Sequence, residues 1–153
     1  MARRGNAGIR REVAADKYVL EKQIGHLLRR AHQRASAIFL AELGEDHGIT
    51  PTQFAALAKL YDVGEESQNE LGRLVATDPA TTQGVIRRLI ARRFVERSGD
   101  PGDRRRAKLR LTTRGRSLVE QLVPLGRRVT EQTLHPLTAS EQEVFLELLA
   151  RLA

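Results

Sequence analysis

The 153-residue sequence contains no cysteine and no tryptophan. Without cysteine there can be no disulfide and no metal site built on thiolates. The same absence fits a reducing cytoplasm, where the protein is expected to reside. Aromatic residues make up only 4% of the chain, and no apolar run approaches the ~20 residues needed to span a bilayer. The first residues, MARRGNAGIRREVAADK, are basic but have no apolar core behind them, which is not the pattern of a secretory signal. Residues 1–14 are expected to form a mobile basic arm. Catalytic signatures are missing as well: there is no phosphate-binding loop, no dinucleotide fingerprint and no Ser/His/Asp motif. His26, His32, His47 and His135 include no pair at helical metal-ligand spacing. Neither an enzyme nor a bound metal or cofactor is expected.

What the chain does have is positive charge in one place. Its net charge is +7, and residues 87–116 hold twelve Lys or Arg against three Asp or Glu. The remainder is therefore slightly acidic, and the basicity is a footprint for a polyanion, either nucleic acid or an acidic membrane surface. Within the basic segment, Ala107, Leu109 and Leu111 alternate with Arg106, Lys108 and Arg110. Period-two alternation predicts a half-buried strand, here with one apolar face and one wholly cationic face.

Around this strand the pattern is helical. Ile24, Leu27, Leu28, Ala31, Ala35, Ile38 and Phe39 recur at spacings of three and four, which predicts one long helix over residues 15–43, ended by Gly44 and Gly48. Such a length serves either a long core helix or a helix with a partner subunit to bury. Thr50, Pro51 and Gln53 announce a second helix with a capping box, whose apolar stripe is Phe54, Leu57, Ala58 and Tyr61. Ser67 and Glu70 predict another capping box on a short helix, with Leu71, Leu74 and Val75 facing inward. After the short turn Ala76–Asp78, a fourth helix follows, capped by Asp78 and started by Pro79. That turn length is typical of a helix-turn-helix. VERS and RRRAKLRLT, separated by the turn signal GDPGD, predict a β-hairpin. Residues 113–133 predict a helix that Pro124 should kink or break, and Thr138 with Glu141 caps the last helix. The fold class is mainly α, a winged helix-turn-helix set between helices from the two ends of the chain.

The helix DPATTQGVIRRLIARRFVER, the wing DPGDRRRAKLRLTTRG and the flanking long helices resemble MarR-type transcriptional regulators over roughly residues 18–152. The most specific part is Asp103, Arg104 and Arg105, followed by Leu109, Leu111, Thr112 and Gly115. The resemblance implies a homodimer in which residues 15–43 and 116–153 form the platform and residues 50–115 the winged DNA-binding lobe. It also implies a repressor on a pseudo-palindromic operator, released by a small aromatic carboxylate or phenolic ligand. The missing cysteine speaks against the thiol-based trigger also known in that family.

The residues themselves point to double-stranded DNA. Thr81, Thr82 and Gln83 are short polar side chains at the start of the fourth helix, suited to base edges. Free N–H groups at that helix end would attract phosphate. Arg87 and Arg88 continue the same side as base readers or phosphate clamps. On the wing, the family motif places a groove-inserting arginine at Arg105, beside Arg104, with Asp103 orienting a neighbour. Arg106, Lys108 and Arg110 are candidates for phosphate contacts, which position a lobe without reading sequence. For a ligand, Tyr18, His26 and Arg30 with Phe54, Leu57 and Tyr61 combine aromatic walls and polar heads. The alternative for these six is ordinary core, dimer seam and solvated surface. Two rival functions remain: a nonspecific or architectural DNA binder without ligand control, and an enzyme or storage protein on the same scaffold.

Overall fold

The computed structural model describes residues 18–99 and 107–153. The predicted arm at 1–14, and Asp103, Arg104, Arg105 and Arg106, lie outside the described residues. Tyr18 and Val19 are not helical, and a 3-10 turn at Leu20–Lys22 leads into α1 (Ile24–Phe39). The helix therefore starts later than its periodicity predicted, and it does not end at Gly44. It runs through a π-helical turn, Leu40–Gly44, and α2 (Glu45–His47), then stops at Gly48. There φ is 57°, the left-handed conformation that favours glycine.

α3 (Pro51–Val63) carries the predicted capping box, with reciprocal bonds between Thr50 and Gln53. β1 (Glu65–Ser67) follows, then α4 (Gln68–Leu74). Ser67 caps α4 by accepting the Glu70 N–H at 3.3 Å. The second half of the predicted box does not form, because the Glu70 carboxylate accepts from Arg73 instead. Leu71 is fully buried, whereas Leu74 faces outward and not inward. After the turn come α5 (Pro79–Ala91), β2 (Val95–Ser98), β3 (Lys108–Leu111), α6 (Thr113–Leu134) and α7 (Ala139–Ala150). Pro124 does not break α6, which runs unbroken from Thr113 to Leu134. Its missing N–H removes one backbone bond, but Val119 and Leu122 before it and Leu134 after it are buried and hold the helix in place. No helix among the described residues is long and apolar enough to cross a membrane.

The sheet has the order β1–β3–β2, antiparallel throughout, with Arg110 opposite both Glu65 and Glu96 and Leu111 opposite Val95. Leu109, Leu111 and Val95 turn inward onto Leu57, Leu60, Leu71, Ile86, Leu89, Val119 and Leu122, which form one continuous core. The segment LTTRG ties this core together. Thr112 accepts the Gly115 N–H at 3.0 Å and donates its hydroxyl to the Arg93 carbonyl at 2.8 Å, while its own N–H reaches the Phe94 carbonyl at 3.1 Å. Gly115 is required here because a Cβ would lie 1.9 Å from the Phe94 carbonyl oxygen.

Further along, α6 leaves the lobe and packs on α1. Gly126 receives the Phe54 ring, and Phe54 also meets Phe39 at 5.8 Å between centroids. Arg128 and Gln132 both donate to Glu42, at 3.0 and 2.7 Å, and Arg34 donates to the carbonyls of Gln132 and Thr133. α7 is different: none of its residues is buried, although its sequence, ASEQEVFLELLA, is largely apolar.

Candidate nucleic-acid interface

α5 owes its position to one buried row, Thr82, Val85, Ile86 and Leu89. The opposite side, with Thr81, Gln83, Arg87 and Arg88, is exposed. At Gly84, on the same side, a Cβ would meet nothing within 4 Å, so the helix surface is open there. Among the residues expected to read bases, Thr82 is the exception. It is 4% exposed and points into the turn between the two helices. Its hydroxyl donates to the Asp78 carbonyl at 2.9 Å and shares a 2.8 Å bond with Thr77. A Cβ on Gly72 would lie 2.6 Å from that hydroxyl. Thr82 thus locks α4 onto α5, and it cannot reach a base from this position.

The start of α5 is also less open to phosphate than its free N–H groups suggested. The Asp78 carboxylate accepts from both the backbone N–H and the hydroxyl of Thr81, at 2.9 and 2.5 Å, and Pro79 has no N–H to offer. The Thr81 hydroxyl, and after it the Thr81 N–H, hold the Asp78 carboxyl below its usual range. A depressed folded-state value stabilises the protein above the ordinary aspartate range and is lost as pH falls through the depressed value. Asp78→Asn should therefore be less stable than the wild type near pH 7, with the gap closing as the pH falls below the ordinary aspartate range. Urea unfolding across that range checks it, and a gap that stays constant would count against the assignment.

Lys108 and Arg110 occupy the outer face of β3 as the alternation predicted, but that face is not wholly cationic. Lys108 pairs with Glu65 at 3.1 Å and Arg110 with Glu96 at 2.8 Å. Lys108, followed by Ser98, holds the Glu65 carboxyl below its ordinary range. Both cations would have to share or exchange a carboxylate to meet a phosphate. The short strand that supplies Glu65 escaped the sequence reading, because three residues leave no periodicity to detect. Arg92 was also missed. It donates to the carbonyls of Gly48 and His47, each at 2.8 Å, and lies 4.8 Å from the centroid of the Phe94 ring. It ties the end of α5 to the loop before α3, and nothing in a run of arginines marks it out for that job.

Of the six ligand candidates, two are taken up by the protomer's own packing. Leu57 is fully buried in the core, and Phe54 is packed between Phe39 and Gly126. Tyr61 lies at the surface under Arg116, its hydroxyl donating to Glu120 at 3.3 Å. Tyr18 is 73% exposed, and Arg30 is exposed one turn after the half-buried His26 on α1. An apolar groove of about 470 Å³ does run between α1, α6 and α7, lined by residues such as Leu28, His32, Val129, Phe145 and Leu149.

Comparison with known proteins agrees with this geometry. The model of the MarR family matches residues 49–107. The HTH-type transcriptional repressor NicR of Pseudomonas putida is 41% identical over 135 residues, which cover 88% of this chain and 85% of NicR. BpsR of Bordetella bronchiseptica, whose DNA binding is regulated by 6-hydroxynicotinic acid, superimposes with a TM-score of 0.82 at 40% identity, covering 89% of this chain and 96% of BpsR. PcaV of Streptomyces coelicolor in complex with its natural ligand gives 0.80 at 32% identity, over 89% and 95% of the two chains.

Proposed function

The chain belongs to the MarR family of transcriptional regulators, and on that premise we propose that it is a homodimeric repressor that binds a pseudo-palindromic operator and is released by a small aromatic acid. The observation that carries the dimer is α7, an apolar helix with no buried residue of its own. A two-fold dimer on DNA requires half-sites about one helical turn apart. In this reading Thr81, Gln83, Arg87 and Arg88 face the major groove, and the wing residues Arg104, Arg105 and Arg106 approach the duplex beside it. Lys108 and Arg110 chiefly brace the sheet.

Release by an aromatic acid is supported by BpsR and its 6-hydroxynicotinic acid. Of the six candidates, Tyr18, His26 and Arg30 lie on or just before α1 and outside the protomer core, and a second copy against α1 would complete their surroundings. The protein would reside in the cytoplasm, where its DNA is.

The test starts from an operator selected out of a random duplex pool. Gln83→Ala should weaken binding to that operator by roughly 1–3 kcal/mol, with little loss on random DNA, because a glutamine amide pairs with an adenine edge and not with the backbone. Equal losses on both would favour a nonspecific binder. Adding 6-hydroxynicotinic acid should release the wild-type protein from its operator, and no release by it or related aromatic acids would remove the ligand from this reading.

A further inference from the structure

A second cleft lies at the root of the wing, between the outer face of the sheet and the start of α6. It measures about 680 Å³ and is lined by four arginines, Arg93, Arg110, Arg114 and Arg116, against one carboxylate, Glu96. That volume is in the range of small-molecule sites. Glu96 pairs with Arg110, which leaves three guanidinium groups. Among the described residues, none of these three has a carboxylate within salt-bridge reach. Two of them are held by aromatic rings: Arg114 lies 5.0 Å from the Phe94 centroid and Arg116 5.2 Å from that of Tyr61. The third, Arg93, follows the end of α5, where the Phe94 N–H bonds back to the Leu89 carbonyl at 3.0 Å. Its φ is 59°, a conformation that favours glycine and strains a residue with a side chain.

We propose that this cleft binds a small, soluble anion bearing phosphate. Three unneutralised guanidinium groups exceed what a single carboxylate can satisfy. A phosphate monoester carries about −1.5 to −2 charges near pH 7 and offers three strong acceptor oxygens. Planar guanidinium forks match those oxygens in pairs. A DNA phosphate offers the same group: Arg93 lies about 18 Å along the helix axis from Thr81 but only about 8 Å from Arg88, so the salt dependence of DNA binding is what separates the two sources. An anion in the cleft touches β3, α6 and the end of α5. It would therefore lower the positive charge at the wing root and link the wing to the helix that leaves the lobe. The inference does not depend on the operator or on the aromatic acid.

Inorganic pyrophosphate is the probe, titrated by calorimetry and in thermal unfolding at an ionic strength fixed with sodium chloride. It should raise the melting temperature of the wild-type protein where chloride does not, since a ligand that binds only the folded state stabilises it. Arg93→Gly should melt at the wild-type temperature or above it without the anion, because glycine relieves the left-handed strain. The same variant should bind pyrophosphate at least about tenfold more weakly, and Arg116→Gln should show the same loss. Stabilisation no greater than that by chloride, or wild-type affinity in both variants, would overturn the proposal. The salt dependence of binding to a random duplex separates the two phosphate sources. It should be unchanged in Arg93→Gly, whereas a slope flatter by about 0.9 or more per subunit would place a DNA phosphate in the cleft and overturn the soluble anion.

Discussion

Replacing Phe145 and Leu148 together by aspartate should turn the protein into a monomer of 17.1 kDa and weaken its binding to the operator at least about a hundredfold. Within one protomer, Phe145 is 39% and Leu148 50% exposed, and Val144, Leu146 and Leu152 are exposed beside them. On α1, Ile24, Leu27 and Leu28 are exposed too. In the proposed homodimer these exposed apolar faces form the interface, where a second copy would bury α1 and α7 together. A carboxylate forced into such an interface is desolvated without a partner, and this costs more than the contact can return. Loss of the dimer halves the number of lobes on one DNA molecule, and paired binding exceeds single binding by about 10²–10⁴. Light scattering at micromolar concentration and anisotropy of labelled operator measure the two effects. The variant should keep its circular dichroism and melt cooperatively, because neither side chain is buried in the protomer. A variant that stays dimeric with wild-type affinity would refute the interface, as would a wild-type protein that is already monomeric.

Gly115→Ala should destabilise the protein by about 3 kcal/mol or more, although the same change inside an exposed helix stabilises by roughly 1 kcal/mol. Steric contact decides the sign. The new Cβ would lie 1.9 Å from the Phe94 carbonyl oxygen and 2.8 Å from its carbon. That carbonyl cannot swing away without breaking its bond to the Thr112 N–H. The start of α6 would have to lift off the end of α5, disturbing the wing between them. Gly84→Ala is the matched comparison, since nothing lies within 4 Å of a Cβ there. It should unfold at equal or higher urea concentration than the wild type. Unfolding curves for the pair measure the difference, and similar stabilities would mean that the contact at Gly115 relaxes freely.

Much of this architecture could be read from residues close together in the chain. The caps at Thr50, Asp78 and Thr138 are hydrogen bonds spanning three residues, so the local sequence contains both partners. The alternation of Lys108, Leu109, Arg110 and Leu111 gave the strand and its buried face for the same reason. Thr82 was legible as well, since it stands three residues before Val85 on the apolar row. Reading it by its polarity instead of its position assigned it to the wrong side of the helix.

What only the tertiary structure decided involves partners distant in sequence. Glu65 reaches Lys108 across 43 residues, and no pattern within either strand announces that the cationic face is neutralised there. Pro124 obeys its local chemistry by giving up one hydrogen bond, yet the helix continues because buried neighbours on both sides hold it against the core. The ligand candidates combine aromatic walls and polar heads, and only the fold shows that Leu57 is buried in the core and Phe54 packed between Phe39 and Gly126. The wing-root cleft, in turn, joins arginines from the end of α5, from β3 and from α6 that look like one undivided basic run in the chain. Local bonds and helical or strand periods are written within a few residues. Charge pairing, clefts and buried contacts depend on which distant segments the core brings within reach.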